Sequence, residues 1–300
     1  MKIVFFGNEQ LAQGLEKPLT PIFDALIANN YEVAAVVLPR NPLSKSQRYS
    51  KSAIISAAEK NQIPIIFADQ ENNLDDTLRQ LNAEIGVLAS YGQIVPQSTI
   101  NVFPRGIVNI HPSLLPKYRG STPIETAISR GDLETGVSLM QLSTKMDAGD
   151  IFAQAKLVLN GSESKQELYE KLAQIGAKLL LENLPSILNG DAPAKPQNDN
   201  EATYTERLTT ADGNLDPGKM TATECERKIR AFIGFPRTRL NFHGQKTIIT
   251  AARVLPDFAG DDWPDVVQCA DNTFLQILEI INPKSGRTMK TADFLRGLRN

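Results

Sequence analysis

Residues 52–89 read SAIISAAEKNQIPIIFADQENNLDDTLRQLNAEIGVLA, and this stretch decides the fold class. Ser52–Asn61 and Asp75–Leu81 have the spacing of helices, whereas Ile63–Ala68 and Ala83–Ala89 are short apolar runs that read as strands. The same alternation extends outward in both directions. Upstream lie a strand at Lys2–Phe6 ended by Gly7, a helix at Pro21–Asn30 with proline in its first turn, and a strand at Glu32–Leu38. Downstream the sequence predicts a strand at Ile107–Ile110, a helix from Pro123 to Arg130 and a strand at Gly136–Leu142. A long helix is expected over Ser164–Leu184, with Ser164 and Glu167 at capping-box spacing and Pro185 after its end. Repeated strand–helix units with strands apolar on both faces predict an α/β fold: an open, mainly parallel twisted sheet with helices on both sides.

The composition then changes. Residues 189–200, NGDAPAKPQNDN, lack any periodicity and are rich in turn formers. Beyond them a helix is predicted over Thr221–Phe232, then short strands at Thr238–Phe242, Thr247–Val254, Asp265–Cys269 and Thr273–Ile281. Short strands separated by Gly, Pro and Asn suggest a small OB-like β-barrel. The expected organisation is a first domain over 1–188, a linker over 189–206 and a second domain over 207–300.

Charge and composition exclude several classes. The chain has 300 residues, 32 Lys+Arg against 34 Asp+Glu, and a hydrophobic fraction of 41%. That suits an ordinary folded protein rather than a disordered one. No apolar run approaches the roughly 18 residues that cross a bilayer, and the apolar start is too short for a signal peptide. A cytoplasmic protein without a membrane partner, and a monomer, is the expectation. Two cysteines, Cys225 and Cys269, exclude a disulfide scaffold and read as small core residues; two histidines exclude a multi-histidine metal site. Residues 207–300 carry 14 Lys+Arg and 11 Asp+Glu, whereas 1–206 carry 18 and 23. A basic end permits a polyanionic partner, although the excess is small.

The familiar phosphate and nucleophile motifs are absent. Gly7-Asn8-Glu9-Gln10 departs from the dinucleotide fingerprint, and there is neither a phosphate-binding P-loop nor a G-x-S-x-G elbow. The informative stretch is Val108–Gly120, VNIHPSLLPKYRG. Asn109 and His111 stand two apart at the end of a strand, so their side chains share a face, and strand ends are where open α/β sheets hold ligands. An imidazole moves protons or carries charge near neutral pH, and a carboxamide donates to a developing oxyanion. A second loop, residues 144–150 (TKMDAGD), brings Asp147 and Asp150. Each residue alone has a plain structural explanation, as a turn former or a backbone partner. Together they offer a donor, a base and an orienting carboxylate at one sheet edge, which suits acyl transfer.

The runs NIHPSLLPKYRGSTPIETAI (109–128), GDLETGVSLMQL (131–142) and MDAGDI (146–151) strongly resemble the 10-formyltetrahydrofolate-dependent formyltransferases. The likeness covers nearly the whole chain. It includes AEIGVLASYGQIVP (83–96), Ala202-Thr203-Tyr204, CERKIRAFIGFPR (225–237) and KSGRTMKTADFL (284–295). The last two favour members that formylate the methionine of initiator tRNA for translation initiation; formylation of a sugar-nucleotide or other small amine is the alternative. The resemblance implies a formyltransferase-type fold, 10-formyltetrahydrofolate as cosubstrate, no metal, and a catalytic trio of Asn109, His111 and Asp147. It implies a folate site at Leu88, Ala89, Ser90, Tyr91, Gly92 and Ile94, with Ser113, Leu114, Leu115 and Pro116. It further implies tRNA contacts by Arg40, Lys45, Arg48 and Lys51 in the loop after the second strand. Further tRNA contacts are expected from Arg227, Lys228, Arg230, Arg237, Arg239 and Lys246.

Overall fold

The structure is a computed structural model that describes residues 1–12, 14–40, 52–255 and 263–298. Its first unit runs β1 (Lys2–Phe6), α1 (Pro21–Ala28), β2 (Glu32–Leu38), α2 (Ala53–Lys60), β3 (Ile65–Phe67), α3 (Leu74–Gln80), β4 (Ile85–Leu88), a one-turn α4 (Gln97–Ile100) and β5 (Ile107–His111). It continues through β6 (Arg119–Gly120), α5 (Pro123–Arg130), β7 (Glu134–Gln141), β8 (Ile151–Val158) and α6 (Lys165–Asn189). Seven strands form one sheet in the order β3-β2-β1-β4-β5-β7-β8. The five strands through β5 are parallel, whereas β7 and β8 pair antiparallel. β8 was not anticipated: as the edge strand it is only half covered and lacks the continuous apolar run of its neighbours.

Both faces of the sheet are buried. Ile3, Phe5, Val36, Val87 and Ile110 pack under α1, α2 and α6, and Val4, Phe6, Val37 and Ile107 pack on the other side. The helix α6 runs past Pro185 to Asn189 and ends at Gly190 in the left-handed region, which corrects the expectation that proline would end it. An internal proline costs a helix about 3 kcal/mol. Here Leu184, Ile187 and Leu188 continue the buried stripe through it, so packing prevails. At the other end the Ser164–Glu167 capping box forms as expected.

The start of α1 is capped from a distance. Its N-cap Thr20 gives no side-chain cap. Instead Glu9, fully buried, accepts the N–H groups of Ile22 at 2.9 Å and Phe23 at 2.6 Å. Gly7 must be glycine for this chain path: at φ +104°, a Cβ would stand 2.2 Å from the Ala89 carbonyl oxygen.

The second unit contains α7 (Ala222–Ala231), β10 (Thr238–Phe242), β11 (Gln245–Leu255), β12 (Val266–Gln268), β13 (Phe274–Ile281), β14 (Thr288–Lys290) and α8 (Thr291–Leu298); β9 (Tyr204–Thr205) precedes it and pairs with β6. The antiparallel order is β10-β11-β13-β12, with β14 also on β13. Among the described residues no ladder joins β10 to β12 or β14, so the expected barrel is a half-barrel. Ile229 of α7 and Phe294 of α8 fill it alongside Leu240, Ile249, Leu275 and Ile277. Cys225 and Cys269 are buried thiols in this core, in contact with each other.

The two units meet along α7. Arg230 donates to the Glu163 carbonyl at 2.6 Å while pairing with Glu226. Lys165 donates to the Phe235 carbonyl at 3.0 Å and lies 4.0 Å from Glu125, both side chains buried. Burial pushes the Lys165 ammonium down to about 8, opposed by Glu125.

Candidate active site

The parallel strands end on one edge, and there β5 delivers Asn109 and His111 with their side chains on the same side. Leu88 at the end of β4 pairs in register with Asn109, so the loop that follows β4 lies next to them. From β7 the chain turns back through residues 143–150 and brings Asp147 over the end of β5. The expected convergence is present. The Asn109 amide lies 3.4 Å from Asp147 Oδ1, and His111 Nδ1 lies 3.7 Å from Asp147 Oδ2. Asp150, the other candidate carboxylate, is exposed and makes no contact with the imidazole among those described; its carbonyl accepts the Gln141 N–H.

Backbone groups fix the orientation of the Asp147 and His111 side chains. Gly120 N–H donates to Asp147 Oδ2 at 2.8 Å, and His111 Nε2 lies 2.9 Å from the Tyr118 carbonyl. A carbonyl oxygen has no proton to give, so Nε2 carries the hydrogen and Nδ1 is the nitrogen that faces Asp147. Sequence reading missed these partners because a backbone donor or acceptor has no residue signature. The trio is largely shielded: the side-chain exposure of His111 is 6% and that of Asp147 is 17%.

Non-glycine residues with left-handed backbone around this edge include Ser90 (φ 57°), Tyr118 (φ 59°) and Asp147 (φ 46°). Such conformations cost about 1–3 kcal/mol each and persist only where neighbours hold them. The neighbours are visible. Ser90 Oγ donates to the Gln10 carbonyl at 2.5 Å, and Tyr118 N–H donates to Thr203 Oγ1 at 2.9 Å. The Tyr118 hydroxyl donates to Asp132 at 2.6 Å under the Arg130 guanidinium, and burial with that bond pushes it up to about 12.

The stretch after α6 does more than connect two units. Lys195 forms a paired bridge with Ile151. Arg119, 2% exposed, is bound by Gln197, Asp199 and the Tyr204 hydroxyl. Gln197 also donates to the carbonyls of Asp147 at 2.8 Å and Gly149 at 2.7 Å. Neither Arg119 nor Gln197 was singled out in the sequence, where Gln197 sits in an aperiodic run.

The remaining candidates divide by location. Leu88, Ala89 and Tyr91 are buried at the end of β4, while Gly92 is exposed and Ile94 is 81% exposed. Leu115 is buried and its N–H donates to Ser138; Ser113 is buried with its hydroxyl on the Lys117 carbonyl; Leu114 and Pro116 are half-buried. Arg40, Arg237 and Lys246 are exposed, and Arg227, Lys228, Arg230 and Arg239 are half-buried. Lys45, Arg48 and Lys51 lie outside the described residues. Among the described residues there is no acidic, histidine or cysteine group arranged to hold a metal, and no helix is long and apolar enough to cross a membrane.

A model of the formyl transferase family matches residues 1–184, and its C-terminal domain counterpart matches residues 207–299. The chain belongs to the formyl transferase family. As a formyl transferase it is 36% identical over 280 residues to a methionyl-tRNA formyltransferase of Coxiella burnetii, covering 92% of this chain and 86% of that one. It is 32% identical to a methionyl-tRNA formyltransferase of Lactobacillus acidophilus, covering 98% and 95%. Among solved structures, the N-formyltransferase from Helicobacter canadensis in complex with folinic acid and dTDP-3-aminofucose superposes with TM-score 0.69 at 20% identity, covering 92% of this chain and 97% of that chain. The likeness to that sugar enzyme is one of fold.

Proposed function

We propose that this formyl transferase moves the formyl group of 10-formyltetrahydrofolate onto the α-amino group of methionine carried by initiator tRNA. The convergence of Asn109, His111 and Asp147 carries the chemical part of the reading. The acceptor follows from relatives of that activity that match over nearly the whole chain, the second unit included. Residues 1–188 act as the catalytic unit, 189–206 as the connection and 207–300 as the tRNA-contacting unit, in a monomeric cytoplasmic enzyme.

The α-amino group of an aminoacyl ester is partly neutral near pH 7 and attacks the formyl carbon. The carbonyl oxygen gains negative charge. Asn109 donates an amide N–H to it, and a proton on His111 Nδ1, with Asp147 beside it, supplies the second positive partner. The C–N bond to N10 then breaks, N10 takes a proton and tetrahydrofolate leaves. Asp147 carries the attacking amine's proton toward N10 through water. Leu88–Gly92 and Ile94 form one wall for the folate, and Ser113–Pro116 the other. Arg40, Lys45, Arg48, Lys51, Arg227, Lys228, Arg237, Arg239 and Lys246 supply cations for phosphates. The bond of Arg230 to the Glu163 carbonyl supports a holding role between units instead, with Glu226 on the same helix orienting the guanidinium.

The test is tetrahydrofolate release from 10-formyltetrahydrofolate with methionyl initiator tRNA, with a dTDP-amino sugar, or with no acceptor. Turnover with the tRNA alone is expected. Release only with the sugar, or equally without acceptor, would overturn the reading.

A further inference from the structure

Gln197 stands outside the reacting trio, yet its carboxamide touches the supports of two of the three residues. A primary amide offers two N–H donors and two acceptor lone pairs. All four are used here. Nε2 donates to the carbonyls of Asp147 and Gly149, at 2.8 and 2.7 Å, and so pins the turn that presents the Asp147 carboxylate. Oε1 accepts from Arg119 Nε at 3.1 Å and Nη2 at 2.9 Å. Arg119 lies between Tyr118, whose carbonyl holds His111 Nε2, and Gly120, whose N–H holds Asp147 Oδ2. One side chain therefore ties the loop after β5 to the loop after β7.

We propose that Gln197 is a positioning residue for formyl transfer, fixing the two loops that aim His111 and Asp147 at each other. This rests on the reading above. The competing account makes the amide only a fastener for the chain between the units. The two differ in what His111 reports. If Gln197 sets the spacing of the loops, its loss changes the surroundings of the imidazole. If it is only a fastener, its loss lowers the melting temperature and leaves the imidazole as it was.

The full chain has two histidines, so its imidazole nitrogen signals are easily resolved. His243 is exposed in the half-barrel and serves as the internal reference. The experiment is an ¹⁵N ring titration of parent, Gln197→Met, Gln197→Glu and Asp199→Ala. Met has similar length and none of the four bonds; Glu keeps the acceptor toward Arg119 but sets a carboxylate against two carbonyl oxygens. Asp199, 74% exposed, holds the same Arg119 without touching the Asp147 turn. Gln197→Met and Gln197→Glu should shift the His111 ring signals and their pH midpoint while His243 stays fixed. Asp199→Ala should resemble the parent. In formyl transfer, both Gln197 variants should lose at least about tenfold in kcat with KM for the donor changed less than about twofold, since an ångström of misplacement costs up to about 10² in rate.

Parent-like His111 signals in a folded Gln197 variant would overturn the proposal, whatever its melting temperature. If Gln197→Met fails to fold, Gln197→Glu decides alone. If the parent transfers no formyl group to the tRNA, the functional reading fails while the His111 titration still judges the positioning.

Discussion

Asp147 Oδ2 accepts the Gly120 N–H at 2.8 Å, which joins the loop after β7 to the loop after β5 and leaves the other edge of the carboxylate toward Asn109. An isosteric Asp147→Asn change keeps an oxygen for Gly120 and removes the charge opposite His111 Nδ1. The expected result is a kcat loss of about 10²–10³ with unchanged circular dichroism, as for removal of one oxyanion-hole group. Asn109→Ala and His111→Ala should fall in the same range. Near-parent turnover in single-turnover assays of His111→Ala would exclude the imidazole from the chemistry.

Glu9 gives a pH signature. Burial raises its carboxyl from 4.5 to about 8 against the two N–H donors of α1. A raised folded value means that the native state retains a proton the unfolded chain releases. The stability this group contributes is full below pH 4.5 and is lost as the pH climbs through about 8. The uncharged Glu9→Gln variant lacks this dependence. Its melting temperature should gain on the parent steadily from pH 5 to pH 8; parallel curves would show that Glu9 stays ionised in the fold.

Lys165 and Glu125 form a buried pair at the joint between the units. Removing one member of a buried charge pair is costly, so Lys165→Met should cost about 3–5 kcal/mol in urea unfolding. The double change Lys165→Met with Glu125→Leu should recover most of that, because two well-packed apolar side chains carry no desolvation penalty. Additive losses in the double-mutant cycle would mean the two charges do not interact.

The basic residues of the second unit should separate into two groups. Arg237→Ala and Lys246→Ala, at exposed positions, should each lower the salt slope of tRNA affinity by about one. Arg230→Ala should instead lower the melting temperature, because its guanidinium is committed to Glu163 and Glu226. Filter binding across a salt series, beside calorimetry, distinguishes the two behaviours.

The sequence was most legible where periodicity and chemistry coincide. Glu32–Leu38, Pro123–Arg130 and Thr238–Phe242 lie where the pattern puts them, and the spacing of Asn109 and His111 correctly put them on one face. It was least legible where a tertiary contact overrides a local rule. Pro185 does not stop α6 because apolar side chains on both sides of it are buried. Thr20 does not cap α1 because Glu9 reaches it from the preceding loop. The choice between Asp147 and Asp150 needed the return path of the chain after β7, and no local pattern encodes the Tyr118 carbonyl or the Gly120 N–H.

The two-residue ladder between Arg119–Gly120 and Tyr204–Thr205 bears on where this protein can be cut. A fragment truncated after Leu188 retains every strand of the seven-stranded sheet and Asn109, His111 and Asp147. It nevertheless forfeits the backbone partner of Arg119 and every side chain that holds its guanidinium. Autonomous chemistry therefore begins to be complete only past Thr205, some way downstream of the point where composition changes, and grafting or domain-exchange experiments should place their seam there.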